Sequence, residues 1–128
     1  MEAAVKYRVL LLEDNASILK LLTELLQEPG ASATVLDAQV PYAAAALQQL
    51  LGARPDQACS ESTARAMAMM AFQRALELTS LDPEAAAEEE VLFGMACTAS
   101  LATNRRKRGD HRAHLAIQTA NRTFTLEL

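Results

Sequence analysis

Arg8-Val9-Leu10-Leu11-Leu12-Glu13-Asp14-Asn15 is an apolar run closed by three polar residues, the pattern of a buried strand feeding a turn. Directly after it, Ile18, Leu21, Leu22, Leu25 and Leu26 fall at helical spacing between Ser17 and Gln27. Asn15 is the candidate N-cap of that helix and Pro29-Gly30 its stop. A second extended run, Ala33 to Val40, ends at Pro41. Strand, helix and strand in this order predict a sheet with parallel pairing and helices packed against it.

The pattern continues outward from this unit. Pro41 suits the start of a helix over Tyr42 to Leu51, with Gly52 at its C-cap. Arg54-Pro55-Asp56 reads as a turn. Ser60 then caps a long helix, Glu61 to Leu78, whose buried face is predicted as Ala64, Met67, Ala68, Ala71, Ala75 and Leu78. Ser80 to Glu90 fits either a loop or a short acidic helix. Val91 to Cys97, His114 to Thr119 and Thr123 to Leu128 read as strands, the last two joined by a tight Ala120-Asn121-Arg122 turn. The fold class is therefore α/β. It is expected as three layers, a mixed and mainly parallel sheet with helices on its faces, ending in an antiparallel hairpin.

Bulk properties narrow the function classes. The chain has 128 residues, a length suited to a single domain over 1–128. Its 51% hydrophobic and 22% charged residues mark a globular protein. Aromatics make up only 4%, with no Trp, so the core falls to Leu, Ala, Val and Met, and a stacking platform for single-stranded nucleic acid is missing. A net charge of −4 also argues against nucleic acid as partner. No apolar run reaches the roughly 20 residues needed to span a bilayer, and nothing resembles a secretory signal. Cys59 and Cys97 have neither framework nor metal-ligand spacing, which fits free thiols in a reducing cytoplasm. His111 and His114 lack a convergent third ligand, so neither a metal nor a cofactor is expected.

Chemistry is most concentrated near the end of the chain. Gly94-Met95-Ala96-Cys97-Thr98-Ala99-Ser100 passes from apolar to small and hydroxylated, and Arg105-Arg106-Lys107-Arg108-Gly109 follows, with Arg112 close behind. Small residues let a ligand approach the backbone, hydroxyls donate hydrogen bonds, and cations attract phosphate or carboxylate. In sheets with parallel strands, ligands sit beyond the carboxyl ends. The two strand ends that qualify are Glu13 to Ser17 and Cys97 to Ser100.

From Pro29 to Leu128 the sequence resembles the CinA C-terminal domain family, known for deamidating nicotinamide mononucleotide. The matching features are Pro29-Gly30-Ala31-Ser32, Val40-Pro41-Tyr42, Ser60 with Ala64-Arg65-Ala66-Met67-Ala68, Cys97-Thr98-Ala99-Ser100, and Lys107-Arg108-Gly109. None is specific alone; their order over about a hundred residues carries the resemblance. It implies C–N hydrolysis of an anionic, nucleotide-like amide, with Thr98, Tyr42 and Ser17 as catalytic candidates. Asn15, Ser100, Arg106, Lys107, Gly109 and Arg112 are the implied substrate-binding residues. The family domain usually continues into a further helix, so the chain is expected to lack that last helix, or to complete its edge strand with a second subunit.

The departure is in the nucleophile loop. The family carries a loop of the type Glu-Ser-Cys-Thr-Gly-Gly, with serine as the proposed nucleophile. Counted back without gaps from Pro29, the glutamate falls on Asp14, the serine on Asn15, the threonine on Ser17, and the glycines on Ile18 and Leu19. Branched side chains resist positive φ and crowd a ligand. The alternative is therefore a non-catalytic ligand-binding or assembly module. The first segment also resembles the opening of a receiver domain. The aspartate nearest the required position, Asp56, follows Arg54-Pro55 rather than an apolar strand.

Overall fold

The computed structural model describes residues 6–13, 23–24, 26–30, 34–82, 90–100 and 112–127. Five strands form one sheet: β1 (Lys6–Glu13), β2 (Val35–Gln39), β3 (Glu90–Ser100), β4 (Arg112–Gln118) and β5 (Thr123–Glu127). Among the described residues, two helices lie between β2 and β3: α1 (Ala44–Leu51) and α2 (Glu61–Ser80). The sheet order is β2-β1-β3-β4-β5. β1 runs parallel to both β2 and β3, while β3–β4 and β4–β5 are antiparallel. The expected terminal hairpin is present, but the pairings divide evenly, two parallel and two antiparallel, rather than mainly parallel. β4 and β5, joined through residues 119–122, pair antiparallel because a short turn permits only antiparallel neighbours.

α2 is the organising helix. Ser60 accepts a hydrogen bond from Thr63 N at 3.2 Å, and Ala64, Met67, Ala68, Ala71 and Ala75 are fully buried, on the face that the sequence spacing marks out. The opposing sheet surface is made by every second residue of β3 and β4: Gly94, Ala96 and Thr98, with His114, Ala116 and Gln118. Alanine on the helix and glycine on the strand let the two backbones come close. A Cβ at Gly94 would lie 2.2 Å from Ala68 O and 2.3 Å from Phe72 N. The small residue in this strand thus makes room for a helix at this position, not for a ligand. Leu47 of α1 joins the same core cluster.

Local departures from the sequence expectation have local causes. Thr34 is helical rather than extended, and its hydroxyl donates to Gly30 O four residues back at 3.3 Å. Tyr42 stands outside α1, because its N–H closes a turn onto Val40 O at 2.8 Å and the helix begins only at Ala44. Gly52 closes α1 with φ of 78°, a conformation that glycine adopts freely. α2 runs two residues beyond Leu78, and β3 extends to Ser100. Residues 23, 24, 26 and 27 are helical, within the predicted Ser17–Gln27 segment. Most of that segment, the expected third layer, and residues 83–89 lie outside the described residues. No helix among the described residues is long and apolar enough to cross a membrane.

Candidate functional site

Because β2 and β3 both run parallel to β1, the three carboxyl ends meet at one edge of the sheet. Glu13 is the backbone partner of Cys97, and Leu12 that of Gln39. The two strand ends nominated by the sequence are therefore neighbours. The chain leaves β1 toward β2 on one side and returns in β3 on the other, the crossover geometry that opens a crevice in α/β sheets.

A groove of about 640 Å³ lies at this edge, lined by Tyr42, Gln48, Arg54, Asp56, Ala99 and neighbouring Ala and Pro residues. This volume falls within the range of small-molecule sites, roughly 300–1,000 Å³. Tyr42 is 71% exposed. Its side chain is open to solvent in the groove lining. The side chains of Tyr42, Gln48, Arg54 and Asp56 make no hydrogen bond or ion pair among the described residues. A ring, an amide, a guanidinium and a carboxylate are thus available to a ligand.

The wall carrying Arg54 and Asp56 is held from its far end. Ser60 Oγ donates to Gln57 O at 3.1 Å, and Thr63 Oγ1 donates to the same carbonyl at 2.5 Å. Cys59 Sγ lies 3.6 Å from Arg112 O and 4.0 Å from Thr98 O. The capping residues of α2 therefore also fix the groove wall against β3 and β4.

Thr98 is inside β3, two residues before its end, with 0% exposure. Its Oγ1 is buried and has no hydrogen-bond partner among the described residues. Native proteins pair nearly all such groups, and an orphan costs about 1–3 kcal/mol. Directly across on β4 stands buried His114, and Ser100 pairs with Arg112, which is exposed. Thr98, Ser100 and Arg112 thus lie on adjacent strands, while Tyr42 and Ala99 line the groove and buried Thr98 is not among its lining residues. Asn15, Ser17, Arg106, Lys107 and Gly109 lie outside the described residues. Among the described residues, no three of His, Cys, Asp and Glu converge as a metal site would require.

Sequence reasoning missed Gln48, Arg54 and Asp56 as groove residues. Arg54-Pro55-Asp56 was legible as a turn, but a turn's composition does not say which strand end it overhangs.

No protein-family model and no curated protein sequence matches the chain. Solved structures do match its fold. The competence/damage inducible protein CihA from Agrobacterium tumefaciens is 22% identical, with a TM-score of 0.70 over 94% of this chain and 69% of that one. A competence-damaged protein (CinA) superfamily protein from Escherichia coli is 18% identical, with a TM-score of 0.68 over 96% and 67% of the two chains. Another superfamily protein, from Enterobacter cloacae, is 19% identical, with a TM-score of 0.69 over 95% and 68%. The fold is CinA-like.

Proposed function

We propose that this CinA-like domain binds a small anionic, nucleotide-like ligand in the groove beyond β3, and that its reaction is C–N hydrolysis of nicotinamide mononucleotide. The observation that carries the reading is that Tyr42 and Ala99 line one groove. They belong to two motifs more than fifty residues apart, and the second contains the orphaned hydroxyl of Thr98. In this reading the Tyr42 ring stacks on the planar base. Arg54, together with Arg112 and the cations Arg106 and Lys107, neutralises phosphate. Asn15, Ser100 and Gly109 contribute hydrogen bonds or close backbone approach.

The chemistry requires an oxygen nucleophile at the amide carbon, departure of ammonia, and water to release the acid. Ser17 is the candidate nucleophile and Thr98 positions the amide or the attacking water, an orienting role. The chain's two cysteines, Cys59 and Cys97, make no disulfide framework, which supports a cytoplasmic setting. A second reading, a ligand-binding module without turnover, draws on one specific observation. Asn15, Ile18 and Leu19 stand where the resemblance calls for the nucleophile and the two glycines.

Ammonia release from nicotinamide mononucleotide, followed with the wild type, Thr98→Ala and Ser17→Ala, tests the pair of readings. Turnover abolished in both variants is the result expected of the enzyme. Calorimetric binding without ammonia release supports the module. Neither binding nor release by a folded protein contradicts both.

A further inference from the structure

The groove beyond β3 carries charges that the fold itself does not use. Elsewhere such groups have structural partners. The Asp37 carboxylate accepts Ala38 N–H at 2.8 Å and Gln39 Nε2 at 3.1 Å, and pairs with Arg74 at 3.7 Å. Arg65 reaches Glu61 at 4.0 Å. Asp56 differs. An aspartate in a turn normally accepts a nearby backbone N–H. The Asp56 carboxylate makes no hydrogen bond or ion pair among the described residues, and neither does the Arg54 guanidinium two residues before it. Both are exposed, and both line the groove. Opposite charges this near in sequence would neutralise each other if they met. Instead they stand unpaired on either side of Pro55, whose ring restricts the turn.

The loop that carries them is anchored just beyond Asp56. The Gln57 carbonyl accepts from two hydroxyls, those of Ser60 and buried Thr63, and Cys59 Sγ lies against the carbonyls of Thr98 and Arg112. The chain at Asp56 is thus tied to the cap of α2 and to the sheet before any ligand arrives, which lowers the entropy lost on binding. The third group is Tyr42, exposed in the same groove. The face of an aromatic ring attracts a cation.

We infer that Asp56 is a specificity determinant of the groove, selecting a nucleotide whose planar ring is positively charged over one whose ring is neutral. The inference rests on the reading of the groove as a nucleotide site. An unpaired cation and an unpaired anion in one groove match a ligand that carries both charges apart, and a pyridinium nucleotide is such a zwitterion. Its phosphate goes to Arg54. Its ring carries the positive charge that Asp56 and the Tyr42 face attract. A nucleotide with a neutral purine or pyrimidine offers the phosphate alone and sets nothing positive against Asp56, whose charge then counts against it. Nicotinic acid mononucleotide, the acid that hydrolysis would leave, bears an extra negative charge on its ring, so the same carboxylate disfavours it.

Calorimetric titration with nicotinamide mononucleotide and with its dihydro form isolates the ring charge. The two share phosphate, ribose and carboxamide and differ by one hydride. Affinities are read before ammonia release is measurable. The wild type is expected to bind the oxidised form about fivefold or more tightly, the size of a partly exposed charge contact with a cation–π contribution. Asp56→Asn, at an exposed position, should keep the wild-type circular dichroism and melting curve, bring the two affinities together and relax discrimination against the acid. Asp56→Glu, which keeps the charge, should retain the preference. Equal affinities in the wild type, or a preference that survives Asp56→Asn, overturn the inference and leave the nucleotide-site reading standing. Binding of neither form removes that reading and the inference with it.

Discussion

Thr98 is the residue at which the proposed function and the stability of the fold make opposite demands. A fully buried hydroxyl with no partner among the described residues weakens the fold unless something else rewards it. Val keeps the β-branched shape and removes the oxygen. Thr98→Val is therefore expected to raise the unfolding free energy by about 1–3 kcal/mol while lowering affinity for nicotinamide mononucleotide. Urea denaturation and calorimetry on one preparation check both halves. A loss of stability would mean that the hydroxyl has a structural partner, and the assigned role would fall. The sequence marked Thr98 as a hydroxyl near a strand end, but not its burial or its isolation. Those follow from α2 covering the alternate residues of β3, a tertiary event with no local signature.

At the scale of elements, the approach of α2 to β3 is the most constrained feature of the fold. The atoms that a Cβ at Gly94 would strike are helix backbone, at 2.2 and 2.3 Å, and no side-chain rotation relieves them. Overpacking of this kind typically costs 1–3 kcal/mol and sometimes more. Gly94→Ala is expected to lose at least about 3 kcal/mol because the whole helix must lift. A loss below about 1 kcal/mol, read from the denaturation midpoint, would contradict this packing. The helix itself was legible in detail. Its cap at Ser60 and its face at Ala64, Met67, Ala68, Ala71 and Ala75 follow from spacing, and the structure places them so, with Leu78, the last of that face, half-buried against the core. The strand order was not legible, since hydrophobic alternation carries no information about which strand lies beside which. The same gap hid the groove residues Gln48, Arg54 and Asp56, brought to the end of β3 only by the crossover.

For the molecule as a whole, the segment after β2, helix α1, the loop from Arg54 to Ala58 and the end of β3 frame one groove. The central claim is that the groove is where a nucleotide-like anion binds. Amide NMR spectra recorded while nicotinamide mononucleotide is titrated into labelled protein address it residue by residue. The account predicts saturable shifts confined to the segment around Tyr42 and Gln48, the turn at Arg54 and Asp56, and the β3 end from Cys97 to Ser100, all lost in Arg54→Gln. Saturable shifts centred elsewhere, or none at saturating ligand in a folded protein, would contradict it.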